Sequence, residues 1–172
     1  EINDEYSFRK LGLNRKINSV VVDDTDTERI GPWKKSTRRA NHLGKHYLAT
    51  AKNNGPHEIT WKTVLPKPGT YEVRVSFCGG ESLSNAAPYT VHHAKGNTRL
   101  LIDQSVKPTI DNLWFPLGQF SFDKKESGPI RAAVSLSDKG TEGYLIADAH
   151  PASLDAIPAP ARSEESASSA DT

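Results

Sequence analysis

Methionine is absent from the 172 residues and cysteine occurs once. No apolar run approaches the roughly 20 residues that a membrane-spanning helix needs. Each absence excludes something. A lone thiol, Cys78, rules out an internal disulfide framework, and nothing around it marks it as activated. No secretory leader is visible, and the lack of methionine even at Glu1 suggests a processed product or a piece of something longer. An excess of one charge is missing too: 22 basic and 21 acidic residues leave a net +1, so no global field argues for nucleic acid. Apolar residues make up only 35%, below the globular norm, while glycine (12) and proline (11) are plentiful. That balance suits short strands and many turns. No stretch longer than about ten residues keeps a helical apolar period without a breaker.

What is present is organised around residues 59–77. Ile59, Trp61, Thr63 and Leu65 alternate with Thr60, Lys62 and Val64. After Pro66-Lys67-Pro68-Gly69, Tyr71, Val73, Val75 and Phe77 alternate with Glu72, Arg74 and Ser76. A period of two places each first set on one face of a half-buried strand. The Pro/Gly segment must turn, which predicts a hairpin with one apolar face. Burying each large side chain on that face contributes roughly 1.5–3 kcal/mol.

Further strands are predicted at 19–24, 46–51, 89–93, 98–103, 130–136 and 144–149, with Lys95-Gly96-Asn97 signalling a second hairpin. Another follows Pro116, which favours a start at Leu117. Regularly spaced short strands describe an all-β protein, an antiparallel β-sandwich or barrel. Residues 1–18 read as an N-terminal arm or linker and 19–150 as the folded domain. Residues 151–172, rich in Ala, Ser, Pro and acid, read as a disordered tail or one held by a partner.

A family resemblance rests on several motifs in order. They are Val21-Val-Asp-Asp24, Gly31-Pro-Trp33, Tyr47, Pro68-Gly-Thr-Tyr-Glu-Val73, Ala87-Pro-Tyr-Thr-Val-His92, Ile102-Asp-Gln104, Trp114 with Leu117-Gly118, and Ile146-Ala-Asp-Ala149. Together they resemble the golvesin C-terminal-like domain, also described as the xanthan-lyase carbohydrate-binding-like domain. More distantly they are similar to jelly-roll modules of the galactose-binding-like class. The resemblance covers about residues 20–150 and implies a jelly-roll sandwich, appended to larger bacterial secreted or surface-associated proteins. By analogy it implies a non-catalytic carbohydrate-binding module, extracellular or periplasmic, whose partners are a polysaccharide or glycan and a catalytic domain of the same parent polypeptide. The rival expectation is a structural or assembly domain packing on such a partner.

Candidate site residues follow from chemistry. No cofactor is required, but by the resemblance a structural calcium ion would sit between the first and last strands, at Asp23, Asp24 and Asp148. The acidic run itself fails as an EF-hand, because Arg29 stands where the loop needs glycine. Sugar rings offer apolar faces to aromatics, so Trp33, in a turn beside a basic segment, and Tyr89 are nominated for stacking. Trp61 and Trp114 read as structural. Arg38, Arg39, Asn85 and His92 are nominated as polar contacts, the arginines for carboxylate or sulfate of an anionic polysaccharide. The bland alternative for Lys34–Arg39 is a solvated loop that balances the nearby acids. Six histidines show no zinc spacing: Leu43 replaces the glutamate between His42 and His46. Gly80-Glu-Ser-Leu-Ser84 lacks the closing glycine of a nucleophile elbow. No P-loop or dinucleotide fingerprint appears. No catalytic residue is nominated.

Overall fold

The computed structural model describes residues 19–21, 27–50, 56–124, 128–148 and 153–156, the first and last of these as backbone only. Within them the chain forms β1 (Ser19–Val21), β2 (Thr27–Ile30), β3 (Lys34–Ser36), β4 (Tyr47–Ala49), β5 (Glu58–Leu65) and β6 (Gly69–Ser76). It continues with β7 (Ala87–His93), β8 (Gly96–Ile102), β9 (Trp114–Phe122), β10 (Ile130–Ser137), β11 (Ile146–Asp148) and β12 (Ser153–Ala156). Three antiparallel sheets result, ordered β1-β12-β6-β9, β2-β5-β10-β7-β8 and β11-β4-β3. No described residue is helical. The fold is an all-β sandwich of jelly-roll type.

The alternation in 59–77 marks the right inward residues: Ile59, Trp61, Leu65, Tyr71, Val73, Val75 and Phe77 are all buried. The pairing differs from the hairpin expected. β5 lies in the five-stranded sheet between β2 and β10, and β6 in the four-stranded sheet between β12 and β9. The exposed Pro66–Pro68 segment therefore crosses between sheets. Alternation fixes which side chains point inward, but not which strand is the hydrogen-bonded neighbour. The crossing puts both apolar faces into one cluster, with Val134 and Leu136 of β10 and Phe122 of β9. Each strand then helps to cover the other, the two-layer solution to a half-apolar sheet.

The second hairpin forms as expected, with β7 and β8 paired from Ala87↔Ile102 to His93↔Gly96. β9 starts at Trp114 and runs through Pro116, ahead of the predicted start. It is an edge strand paired only with β6, and its register shifts beside Val73/Arg74, so a missing N–H is tolerated there. The expected tail contributes β12, which occupies the slot between β1 and β6. Two flanking ladders satisfy backbone groups that its weakly apolar sequence does not signal. The remainder of the tail and the N-terminal arm lie outside the described residues.

Candidate functional site

The loops gather around the short sheet β3-β4-β11. Residues 144–148 are held from both sides. On one side Ile146, Ala147 and Asp148 pair with Ala49, Leu48 and Tyr47, and Thr50 extends the ladder to Leu145 through its N–H and Oγ1, both 3.0 Å. On the other side the Gln104 amide stands in for a strand: Nε2 donates to Ile146 O (2.8 Å) and Oε1 accepts from Ile146 N–H (2.9 Å). Two residues closer to the loop, Tyr144 N–H donates to Ser82 O and Ser84 N–H donates to Tyr144 O, a parallel bridge. Gly143, at φ 85°, delivers the chain into that bridge, where a Cβ would sit 2.8 Å from Ser84 N. Ser84 is fully enclosed; its Oγ meets Thr141 Oγ1 and accepts from Ala86 N–H.

This scaffold presents a cleft of about 340 Å³. Its floor is apolar, formed by Ala49, Leu83 and Ile146 with the edge of Tyr47. Its rim carries Arg38, Arg39, Ser82 and Tyr144, a residue 37% exposed. Arg39 is pinned: Nη1 donates to Gly79 O (3.3 Å) and Nη2 to Ser82 Oγ (2.8 Å). Gly80 makes room for it, since a Cβ there would lie 1.8 Å from Nη1. Arg38 is exposed, with its backbone N–H held by Ser36 Oγ. No carboxylate forms an ion pair with either arginine among the described residues.

The structure thus brings together two nominated residues, Arg38 and Arg39, and separates the rest. Trp33 is half-buried, not a free stacking face. Its indole N–H is shared between Ile30 O and Glu58 O, both at 3.1 Å, and its ring meets His57 edge-on at 5.8 Å. The turn at Gly31, which accepts from Trp33 N–H, folds the side chain back, a form of burial that alternation does not reveal. Tyr89 is a correction as well: it is 0% exposed and its hydroxyl accepts from Gln104 Nε2 at 2.9 Å. Burial pushes its pKa upward, so it is a core phenol. Asn85 is exposed but does not line the cleft. His92 points out from β7, opposite the buried Val91, with both nitrogens engaged. Nδ1 donates to Asn97 Oδ1 (2.9 Å) and Nε2 accepts from Ser135 Oγ (2.7 Å).

That Ser135–His92–Asn97 row has the connectivity of a nucleophile, base and orienter. It spans β10, β7 and the edge strand β8, with Ser135 facing Thr90 on one side and Thr60 on the other. The β10 amides around Ser135 are committed to those two ladders and are not available to a developing oxyanion.

Asp148, the described member of the nominated calcium set, is 1% exposed. Its Oδ2 accepts from Leu43 N–H (2.9 Å) and Ser76 Oγ (3.1 Å), tying the β3–β4 loop to β6. Asp23 and Asp24 lie outside the described residues. Among the described residues no three His, Cys, Asp or Glu side chains converge. The one described carboxylate is already a structural acceptor, so the described residues by themselves do not fit a cation wanting six to eight oxygens. Cys78 is buried beside this carboxylate. Burial, then the Asp148 charge, push its pKa up to about 12 against a smaller opposing pull from Arg39.

Tyr144 is the cleft residue that sequence reading left unremarked. Its signal was the pair of glycines at 140 and 143, which break a strand just before a large aromatic.

With this geometry in hand, comparison with known proteins is informative. The sequence profile of the Golvesin C-terminal domain matches residues 20–150. The chain belongs to the Golvesin C-terminal domain family. A xanthan lyase from Bacillus sp. (strain GL1) is 28% identical over 139 residues, covering 78% of this chain and 14% of the lyase. The chain therefore spans about one seventh of that relative's length. Among solved structures, a Paenibacillus xanthan lyase superposes with TM-score 0.68 at 23% identity, over 81% of this chain and 13% of that one. A family 35 carbohydrate-binding module from an environmental isolate gives TM-score 0.51 at 12% identity, over 82% of this chain and 99% of that one. At these identities the two structures show the fold alone. No helix of the described residues is long and apolar enough to cross a membrane.

In this Golvesin C-terminal domain, several motifs of the resemblance turn out to be architectural. Gln104 caps β11, Tyr71 and Trp114 are buried, and Ile146–Asp148 is β11 itself.

Proposed function

We propose that this domain is a non-catalytic carbohydrate-binding module whose cleft, between β3-β4-β11 and residues 79–84, takes a glycan. One observation carries the reading. A partly exposed Tyr144 ring and two guanidinium groups free of ion pairs among the described residues surround a dry floor of Ala49, Leu83 and Ile146. A sugar ring matches that combination, because it buries C–H faces against aromatic and aliphatic carbon while its hydroxyls need fixed donors. Arg39 is such a donor, held in place before any ligand arrives. The family, and the xanthan lyase relative of which the match covers only 14%, support a module appended to a larger secreted bacterial polypeptide, where it would hold a catalytic domain near its polysaccharide.

The rival reading, an assembly domain, has its own observation. Ile30, Val64 and Leu101 are each more than half exposed on the outer face of the five-stranded sheet. Polar Glu58, Thr60 and Ser137 separate them, so they do not form one apolar patch of the kind that marks an interface. Affinity electrophoresis of the full chain against a polysaccharide panel tests the proposal. Retardation that disappears in Tyr144→Ala supports it. No retardation by any glycan, together with stable co-elution of a neighbouring domain of the parent polypeptide, favours assembly.

A further inference from the structure

We infer that the cleft reads a single acidic sugar residue, at a chain end or on a branch, and not a run of polymer backbone. This rests on the glycan reading of the same cleft. Size is the first argument. The cleft, about 340 Å³, lies at the small end of ligand pockets, so the contacts it offers end within about one or two sugar rings and further rings would lie outside its walls.

The second argument is the count of stacking faces. Surfaces that track a polymer repeat an aromatic for each ring or base. Here Tyr144 is the only exposed aromatic on the rim. Trp61, Trp114 and Tyr89 are buried, and Trp33 is fastened elsewhere by its indole N–H.

Charge supplies the third. Arg39 spends two of its five N–H donors on Gly79 and Ser82, which leaves donors on a fixed guanidinium. The Arg38 side chain makes no hydrogen bond or ion pair among the described residues. Glu81 and Glu142, on adjoining loops, pair with neither arginine. A carboxylate on the sugar would therefore meet one mobile and one anchored cation beside an apolar floor, a setting in which charge-assisted hydrogen bonds are strong. The ring would lie on Tyr144, with its acid toward Arg38.

Calorimetry on the full chain tests this with glucuronic and galacturonic acids, with glucose and galactose, and with galacturonate oligomers of two to six residues. At least one of the acids should bind about ten- to a hundredfold more tightly than its neutral counterpart, the scale of one hydrogen bond to a charged group. The hexamer should bind within about threefold of the monomer, because only its end is read. Arg38→Gln, at an exposed position, should bring the acid down to the level of the neutral sugar. Three results would overturn the inference: neutral sugars binding as well as acids, affinity climbing more than about tenfold with chain length, or an Arg38→Gln variant indistinguishable from the parent. If none of the probes binds while a polysaccharide of the panel still retards the chain, the inference fails and the glycan reading stands; if nothing binds in either assay, both fail.

Discussion

Replacing Gly80 by alanine should unfasten Arg39 while leaving the sandwich standing. The new methyl would lie 1.8 Å from Nη1 and 2.7 Å from Cζ of Arg39, but no backbone atom is among its three nearest contacts. The guanidinium, the far end of a flexible side chain, must therefore swing away and give up its bonds to Gly79 O and Ser82 Oγ. Hydrogen bonds from a charged donor contribute about 1.5–3 kcal/mol when enclosed, but this side chain is half exposed, so solvent screening reduces the pair to roughly 1–2 kcal/mol. Against that, an alanine restricts the unfolded chain and returns about 0.4–1 kcal/mol. The net loss is then on the order of 1 kcal/mol or less. The decisive assay is a double-mutant cycle in urea with Gly80→Ala, Arg39→Ala and the pair. If the methyl acts by evicting Arg39, the second substitution adds little to the first, and the coupling should reach about 1 kcal/mol. Additivity within about 0.5 kcal/mol would refute the reasoning and place the effect of Gly80 in the backbone. Glycan affinity should fall in all three variants, since each removes the fixed donor from the rim.

Three further expectations follow from the same geometry. Tyr144→Ala should abolish glycan binding at a stability cost below about 1 kcal/mol, because the ring is partly exposed; a loss above about 3 kcal/mol in urea melts would show it to be core. With its pKa near 12, Cys78 should resist thiol reagents in the native state at pH 8, where only about one molecule in ten thousand carries a thiolate. The sign for stability runs downward with alkali. Between the ordinary thiol value of 9.0 and about 12 the unfolded chain loses this proton while the folded one keeps it, so stability should fall above pH 9 more steeply than in Cys78→Ala; parallel pH profiles would contradict this. Finally, because Asp148 Oδ2 already accepts from Leu43 N–H and Ser76 O–H as a structural tie, chelation should leave the melting temperature unchanged. A drop of more than about 4 °C would instead show a cation completed by Asp23 and Asp24.

Much of the fold was legible because burial in a sheet leaves a period-two trace. Ile59, Trp61, Leu65, Tyr71, Val73, Val75 and Phe77 could be assigned inward from alternation alone, and β7–β8 from its glycine-bearing turn. Partner choice left no such trace. Nothing local distinguishes the β5–β6 crossing from a hairpin, since proline and glycine serve both. β12 left little trace because pairing along both of its edges does not show in the sequence. At the site, the basic segment Lys34–Arg39 exposed its arginines as candidates. Trp33 and Tyr89 do not line the cleft, because a turn can bury an indole and a strand a phenol once each finds a hydrogen-bond partner, Glu58 O in one case and Gln104 in the other.

The same contrast explains why family membership was easier to read than ligand. Gln104, Trp114, Tyr71 and Ile146–Asp148 solve problems that any chain with this fold must solve: capping a free strand edge, filling the core, joining a short third sheet to the sandwich. Their identities are dictated by backbone groups and packed neighbours, so they survive as motifs. Arg38, Arg39 and Tyr144 are set on that frame from segments about a hundred residues apart, joined through the sheet β3-β4-β11 and bridged by residues 82–84. Ser82 accepts from Arg39 through its hydroxyl and from Tyr144 N–H through its carbonyl, so one residue fixes both sides of the cleft. The rim can then change its chemistry without disturbing the frame beneath it. Specificity in this domain is therefore expected to vary at positions 38, 39, 82 and 144 while Gln104 and Ser84 stay in place.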